Sequence, residues 1–365
     1  MTRSRTIAMG TAMALSLTAL SGAAVTAQEE EMEPVRIGFV THVLGNPFIQ
    51  QIIDAAQFAA DDLSVDLEVQ GPAGGSPEEQ IALIQGFQNA GVDGIATSVP
   101  GVALASPINE IVAAGTPVVQ FNLLDTGVNA PYVGERSVES GRILGRAVID
   151  ILGGNEVSGK VIIGNCFPGF PVLENRSQGV QEALAEAPGI EVDADNDVTV
   201  DPVTNYAAWE ALLTASPDAI ALIGLCAPDI ASLGQLQANT PDIDFVAGGY
   251  DLTADNLAAL EAGTADVSIG QTPFMQGYLP VRMLHDVITG AVDVDLSAGG
   301  FIDAGTEIVT ADSVTEPYGL PSLTFSELQE LAADPEAARA YYQPLVDGVV
   351  ADWPSLLEPI ENESQ

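Results

Sequence analysis

Hydrophobic residues along this chain follow two alternating spacings. Short segments such as Val35–Val40 and Asp66–Gln70 predict β-strands, whereas Phe48–Leu63 and Pro77–Ala90 carry apolar positions at helical spacing. A strand, a helix and another strand at these intervals indicate right-handed βαβ crossovers. We therefore expect parallel sheets that helices cover on both faces.

The same alternation restarts in the second half of the chain. Val138–Leu152 predicts a helix, and Lys160–Asn165 predicts the first strand of a second unit. Asp266–Gln271 is the last strand that we expect, and the helix Tyr278–Thr289 follows it. The predicted fold class is α/β, with two doubly wound parallel-sheet units that meet near Tyr132–Glu139.

The N-terminus has the composition of a secretion signal. Arg3 and Arg5 precede the mostly apolar run Ile7–Leu20, and small residues at 25–27 suit a cleavage site. The apolar run is shorter than the ~20 residues that a membrane span requires. We therefore expect residues 1–27 to be a cleaved Sec-type signal peptide and the mature protein to be periplasmic.

Charge narrows the possible partners. The 365 residues include 51 Asp and Glu but only 10 Lys and Arg, for a formal net charge of −41. Such a surface repels phosphate backbones, so we expect no nucleic-acid partner, and anionic lipid is disfavoured. Because high salt screens self-repulsion, the composition is typical of an acidic proteome adapted to salt.

Ligands of open parallel sheets bind beyond the carboxyl ends of the strands. The residues that follow the predicted strands carry mostly amide, carboxylate or aromatic side chains. They do not form a catalytic set of nucleophile, base and orienting residue, and no His/Cys cluster has the spacing of metal ligands. Neither GxGxxG nor GxxxxGK[ST] is present. We expect no catalytic residue, metal or cofactor. The candidates at these strand ends are His42, Asn46, Asn122, Cys166, Cys226, Tyr250, Asp251 and Gln271.

Several short motifs carry a resemblance to a known family. Their order and spacing are similar to those of periplasmic sugar-binding proteins of the ribose- and galactose-binding type, over roughly residues 34 to 310. The motifs are Gly45-Asn46-Pro47-Phe48, Gly91-Val92-Asp93-Gly94-Ile95, Asn175-Arg176-Ser177-Gln178-Gly179, Leu212–Asp218, Gly249-Tyr250-Asp251 and Ile269-Gly270-Gln271.

The resemblance implies the type I periplasmic binding protein fold, in which two lobes close on a ligand around a three-stranded hinge. It implies crossings near Glu135, Thr272 and Gly305. The N-terminal lobe would comprise 34–135 plus 272–305, the C-terminal lobe 136–271 plus about 306–312, and a C-terminal extension 313–365. From its Pro-, Glu- and Ala-rich composition with Trp353, we expect residues 311–365 to form a tail packed on the outside.

The implied function is that of the substrate-binding component of an ABC importer. Such a protein captures a sugar or polyol between its lobes as a monomer and delivers it to the membrane permease. A sensory protein that presents a sugar-like signal to a receptor is the alternative, and a doubly wound enzyme is a weaker one. Sequence cannot separate the first two, because both use the same lobes.

The residue types suit this task. Carboxylates and amides can each engage two hydroxyls, arginine presents a fork of donors, and aromatic rings cover the apolar face of a sugar. By resemblance the ligand-binding residues are Asn46 and Phe48 in the first lobe, Arg176, Tyr250 and Asp251 in the second, and Gln271 at the hinge. Each has a structural alternative: turn residue for Asn46, core ring for Phe48 and Tyr250, surface arginine for Arg176, helix N-cap for Asp251 and solvated strand end for Gln271.

The sequence departs from the family pattern in places that affect the ligand. Asn122-Leu123 stands where ribose-type members have Asp-Arg, so pentose selectivity is in doubt, although Asn122 could still bind a hydroxyl. His42 occupies a position that is usually small and polar, where it could contact the ligand or cap the strand. Phe167 and Phe170 are further candidates for stacking or for loop packing.

The two cysteines follow strands that are neighbours in the doubly wound order 2-1-3-4-5. Adjacent strands lie ~4.8 Å apart, within the range of Cα separations that a disulfide spans. Export makes oxidation possible. We predict a Cys166–Cys226 disulfide lining the cleft, with two buried free thiols as the alternative.

Overall fold

The computed structural model describes residues 34–311, 313–314 and 319–362. The signal peptide predicted for residues 1–27 lies outside them. The first half alternates strands and helices: β1 Arg36–Val40, α1 Pro47–Leu63, β2 Asp66–Gln70, α2 Pro77–Ala90, β3 Gly94–Thr97, α3 Ala105–Ala113, β4 Val118–Phe121, β5 Tyr132–Gly134 and α4 Ser137–Ile151.

The second half repeats the alternation and then adds short strands and two helices. Its elements are β6 Ser158–Asn165, α5 Pro171–Leu184, β7 Gly189–Asp197, α6 Pro202–Ala215, β8 Ala219–Gly224, α7 Asp229–Asn239, β9 Val246–Tyr250, α8 Ala254–Glu261, β10 Val267–Gly270, α9 Pro273–Ile288, β11 Phe301–Asp303, β12 Glu307–Thr310, β13 Ser313–Val314, α10 Phe325–Ala333 and α11 Pro335–Gly348.

The strands form two sheets, each the centre of one lobe. The first lobe has the order β11-β5-β4-β3-β1-β2, with all neighbours parallel. The second has the order β13-β12-β10-β9-β8-β6-β7, in which β12 pairs antiparallel with β10 and β13 antiparallel with β12. Two α/β lobes built on parallel sheets confirm the predicted fold class.

Three crossings connect the lobes. The chain leaves the first sheet after Gly134, returns from the second sheet after Gly270, and leaves the first sheet again after Asp303. Our expectation that Asp266–Gln271 holds the last strand is wrong, because β11, β12 and β13 follow it. These strands have two to four residues, too few for an apolar spacing to distinguish them from loops.

The C-terminal extension is more than an outer tail, and that prediction is wrong in its described part. Trp353 has no exposed surface, and its indole Nε1 donates to Asp286 Oδ2 at 3.1 Å. Phe301 and Glu358 exchange two backbone hydrogen bonds of 2.8 Å. Periodicity missed this packing because Trp353 lies in an irregular 3₁₀ segment, Val350–Leu356.

The C-terminal extension also contacts both lobes. α10 packs against α8 of the second lobe, with Leu328 in that lobe's core. α11 packs against α1 and α9 of the first lobe, with Tyr342, Leu345 and Val346 in that core. The two helices therefore bridge the lobes beside the crossings. No helix in the described ranges is long and apolar enough to cross a membrane.

Candidate functional site

Three residues at the facing edges of the two lobes sit on strained backbone. Asn122 follows β4 with φ 61°, Asp251 follows β9 with φ 74°, and Thr272 lies just beyond β10 with φ 46°. Non-glycine residues in this left-handed region cost on the order of 1–3 kcal/mol, and Asn and Asp tolerate it best. Three such turns at the carboxyl ends of strands mark these edges as the candidate site.

Arg176 is the buried cation of the site. It lies on α5, which packs so closely on α4 that a Cβ at Gly179 would collide with the Val138 carbonyl oxygen. The guanidinium lies 4.0 Å from the centre of the Tyr250 ring, and its Nη1 donates to the Leu225 carbonyl at 2.8 Å. Since only 4% of Arg176 is exposed, the surface-arginine alternative is wrong.

Glu135, directly after β5, forms an ion pair with Arg176. Burial alone would lower the pKa of Arg176, but the nearby Glu135, Tyr250 and Asp251 raise it, so the guanidinium stays charged. Glu135 itself is 1% exposed, and its second carboxylate oxygen has no hydrogen-bond partner within the described residues. This oxygen is a buried acceptor available to a donor from a ligand.

Asp251 and Gln271 form the second pair. Gln271 Nε2 donates to Asp251 Oδ1, and the other amide atom, Oε1, is buried with no partner in the described chain. Burial raises the pKa of Asp251 to about 7, although Arg176 and Gln271 act in the opposite direction. The N-cap alternative for Asp251 is wrong, because Thr253 caps α8. The solvated-end alternative for Gln271 is also wrong, because 2% of it is exposed.

Gln276 connects this pair to the first lobe. On α9, it donates to the Gln271 carbonyl at 2.7 Å and accepts from Asn122 Nδ2 at 3.1 Å. The Asn122 carbonyl accepts from the Tyr132 hydroxyl at 2.8 Å. Asn122 therefore joins the same set of buried polar contacts as Gln271, although Leu123 follows it where the family pattern has an arginine.

We call these residues together the Arg176–Asp251 network. Arg176 with its partners forms one half and Asp251 with its hydrogen-bonded chain forms the other, and the charge of Arg176 acts on Asp251 to connect them. The members of the network are Asn122, Glu135, Arg176, Tyr250, Asp251, Gln271 and Gln276.

Tyr250 is both a core residue and a platform for the cation. Its hydroxyl lies 3.0 Å from Ser140 Oγ, and no part of its side chain is exposed. Burial raises the pKa of Tyr250 above its ordinary range. With the guanidinium of Arg176 on its face, the ring orients that cation and has no exposed surface of its own on which a sugar could stack.

Asn46 and Phe48 have local roles in the first lobe. Asn46 Oδ1 caps α1 by accepting from the backbone N–H of Phe48 at 2.9 Å and of Ile49 at 3.4 Å. The Phe48 ring lies in the first-lobe core. The turn-residue and core-ring alternatives therefore describe what these two residues do in this conformation.

His42 also bonds within the first lobe. Its Nδ1 lies 3.2 Å from Ser98 Oγ. Burial lowers the pKa of His42 to about 4, so the ring is neutral near pH 7. No hydrogen bond or ion pair in the described structure joins His42, Asn46 or Phe48 to the Arg176–Asp251 network.

The lobes touch at the rim of the cleft. Leu123 and Leu124 of the first lobe pack with Val172 and Phe170 of the second in one apolar cluster. Phe170 also stacks on Phe167, with ring centroids 4.7 Å apart, which matches the loop-packing alternative for these rings. The lobes can separate only if this contact is broken.

Cys166 and Cys226 form a disulfide in this structure, with Cα atoms 6.2 Å apart. The Cys226 N–H donates to Asp229 Oδ2 at 2.8 Å, and the other oxygen of Asp229 accepts from Trp209 Nε1 at 2.9 Å. Burial raises the pKa of Asp229 to about 6. The disulfide and these hydrogen bonds thus fix the ends of β6 and β8 to the core of the second lobe. The Leu225 carbonyl, to which Arg176 donates, lies next to this bridge in the chain.

Three contributors to the site lie outside the sequence prediction. The sequence assigns Glu135 only to a crossing, places Gln276 before the predicted helix Tyr278–Thr289, and places Ser140 within a predicted helix. Of these three residues, only Glu135 carries a sequence signal, because it is an acidic residue beside a predicted crossing. Among residues that the structure describes, no group of three His, Cys, Asp or Glu is placed to hold a metal ion.

The fold and this cleft define a two-lobed binding protein, and the comparisons with known proteins agree. The family model described as periplasmic binding protein domain matches residues 37–291, so the chain belongs to that family, as the motifs predicted. The match ends before the C-terminal extension.

Curated relatives are similar over most of their length. The xylose/arabinose-binding protein XylF of Sulfolobus acidocaldarius is 24% identical over 79% of this chain and 73% of that protein. The ribose import binding protein RbsB of Escherichia coli is 26% identical over 73% of this chain and 88% of that protein. Among solved structures, GanP, a glucose-galactose binding protein from Geobacillus stearothermophilus, has a TM-score of 0.70 and 24% identity over 77% of this chain and 98% of that chain.

Proposed function

We propose that this protein captures a sugar or polyol in the cleft between its lobes and delivers it to an ABC permease. The observation that carries the proposal is the buried network in which Asp251 and Gln271 bond to each other beyond their strands and the charge of Arg176 acts on Asp251. The relatives' names support the ligand class. They also favour binding over catalysis, because those relatives are named as binding proteins.

The chemistry of the network suits a ligand with several hydroxyl groups. Glu135 Oε2 and Gln271 Oε1 are buried acceptors without partners in the described residues, so a hydroxyl donor would satisfy each. Arg176 supplies the complementary donors. A micromolar Kd corresponds to about −8 kcal/mol, and charge-assisted hydrogen bonds of about 1.5–3 kcal/mol each suffice for it after ordering costs.

We propose that His42, Asn46, Phe48 and Asn122 contribute from the first lobe when the lobes close. Asn46 would have to do so through its amide nitrogen, because its oxygen caps α1. Hinge motion at the three crossings would open the apolar contact at the rim. We further propose a periplasmic monomer, with residues 1–27 removed on export.

The test is a thermal-shift screen of sugars and polyols in high salt, followed by calorimetric titration of each hit. A ligand that binds the native state raises Tm increasingly as its concentration rises above Kd. Asp251→Ala should abolish the shift while the variant still unfolds cooperatively. Asp255→Ala, which removes an exposed carboxylate four residues away, is the matched control and should leave the shift unchanged.

Two other outcomes would contradict the proposed site or the proposed function. If Asp251→Ala keeps the full shift, the site lies elsewhere on the molecule. A ligand-dependent complex with a receptor ectodomain, in place of transport through a permease, would favour the sensory function.

A further inference from the structure

A second cavity lies beside the crossings. It has a volume of about 440 Å³ and is enclosed by α1, the start of α9, Leu252, Glu307 and the two helices of the C-terminal extension. Of the Arg176–Asp251 network, Gln271 lines it, whereas the guanidinium and the Asp251 carboxylate do not. The volume exceeds what one or two waters need, so the cavity can hold a small organic molecule.

Aromatic rings supply much of the wall. Phe48, Phe58, Phe274 and Tyr342 line the cavity, and the last two stack with centroids 4.8 Å apart. The Arg339 guanidinium already lies 4.9 Å from the centre of the Phe58 ring, on the side where α11 packs. Phe274 also stacks on Tyr278, so a ligand cation would meet the rings of Phe48, Phe58 or Tyr342. Ring faces attract cations, and aromatic cages are a recurrent means of binding alkylated ammonium groups.

The charged residues in the wall are acidic, and burial raises the pKa of one of them, Glu307, to about 7. Glu307 and Asp54 line the cavity, whereas no Lys, Arg or His of the described chain does. Glu307 is 4% exposed, and its Oε1 accepts from Thr272 Oγ1 at 3.3 Å. Thr272 Oγ1 is the hydrogen-bond partner of this carboxylate, and Glu307 lines the cavity, where a cation could contact it.

We propose that this cavity is a second ligand site, which takes a small organic ammonium cation between the aromatic rings and the Glu307 carboxylate. The C-terminal extension supplies Tyr342 and Leu328 to the walls and so completes the site. Because Glu307 and Thr272 belong to the crossings between the lobes, the occupant contacts the hinge directly.

The experiment compares choline with 3,3-dimethylbutan-1-ol, which has the same shape without the charge. Each is titrated calorimetrically into the full-length mature protein at constant ionic strength and at about pH 8.5, above the raised pKa of Glu307. We expect choline to bind at least tenfold more tightly than the alcohol. Glu307→Gln, which keeps the shape of the side chain, should remove most of that preference, and Tyr342→Leu should weaken choline binding about tenfold.

Asp347→Asn, which neutralises an exposed carboxylate on the same helix as Tyr342, is the matched control and should leave both affinities unchanged. Circular dichroism and the Tm of each variant show whether it is folded. Equal affinity for choline and the neutral alcohol, no binding of either, or an undiminished preference in folded Glu307→Gln would each overturn the proposal. Phe48 and Gln271 belong to both proposed sites, whereas Asp251 does not line this cavity and Glu307 is not assigned to the sugar, so Asp251→Ala and Glu307→Gln test the two sites separately.

Discussion

The two sides of the cleft are built differently. On the second lobe, Arg176 and Asp251 are buried, and their positions depend on other charged and polar groups of the network. On the first lobe, Asn46 accepts from the backbone of α1 and His42 bonds to Ser98. Arg176 and Asp251 are therefore held in position by other buried groups, whereas Asn46 and His42 also stabilise a helix or a loop.

The strongest test of this contrast breaks the buried ion pair between Arg176 of the second lobe and Glu135 at the crossing. Arg176→Ala should lower the free energy of unfolding by about 3–5 kcal/mol, because it leaves Glu135 buried without its partner. Ligand binding should be lost as well. Chemical unfolding in high salt measures the change in stability.

Arg146→Ala is the control for this prediction, since Arg146 pairs with Glu186 at the surface. It should cost little, because exposed ion pairs are weak. Equal destabilisation by the two substitutions would mean that the network does not behave as a buried unit.

The disulfide behind Arg176 should have the next strongest effect on stability. Replacing Cys166 and Cys226 by serine should lower the free energy of unfolding by about 2–4 kcal/mol, because the bridge closes a long loop in the unfolded chain. Urea unfolding with and without reductant measures it. Reductant should shift the midpoint of the wild-type protein and leave the double variant where it is; a wild-type midpoint indifferent to reductant would contradict the prediction.

Substitution of Asp251 should change ligand binding and protein stability in opposite directions. Its pKa is raised to about 7 in the folded state, so the folded protein binds more protons than the unfolded chain between about pH 4 and 7. Its contribution to stability is therefore present at low pH and declines as pH rises through that window. Asp251→Asn should make the ligand-free protein more stable at pH 8, by about 1–3 kcal/mol, and the gain should vanish near pH 4.

Thermal unfolding as a function of pH, compared between wild type and Asp251→Asn, tests this prediction. The same variant should bind the ligand poorly, because it replaces a carboxylate acceptor with a neutral amide. A gain in stability that persists unchanged to pH 4 would assign the effect to packing instead of to charge.

The mildest effect concerns Asn46 on the first lobe. Asn46→Ala should cost about 1 kcal/mol through loss of the α1 cap, whereas Asn46→Asp should keep the cap and the stability. If the amide nitrogen also contacts the ligand, Asn46→Asp weakens binding without lowering Tm. Unchanged affinity in the aspartate variant would restrict Asn46 to the helix cap.

Much of the candidate site could be predicted from strand ends. Asn122, Asp251 and Gln271 follow β4, β9 and β10, and parallel topology brings such positions to one edge of each sheet. Glu135 also follows a strand, but β5 has only three residues and hydrophobic spacing did not predict it, and Gln276 lies on a helix. Glu135 pairs with a residue 41 positions away, and which acidic residue meets Arg176 depends on how α5 packs on α4.

Sequence alone was enough for the alternation of strands and helices, the family motifs, the strongly acidic composition and the proximity of the two cysteines. These properties follow from local periodicity, residue counts and chain order, which are written along one dimension. Tertiary packing was needed to show that Trp353 enters the first-lobe core, that the C-terminal extension bridges both lobes, and that Asn46 uses its oxygen as a cap. Each of these depends on side-chain partners distant in sequence or on local backbone angles, and hydrophobic spacing carries no record of either.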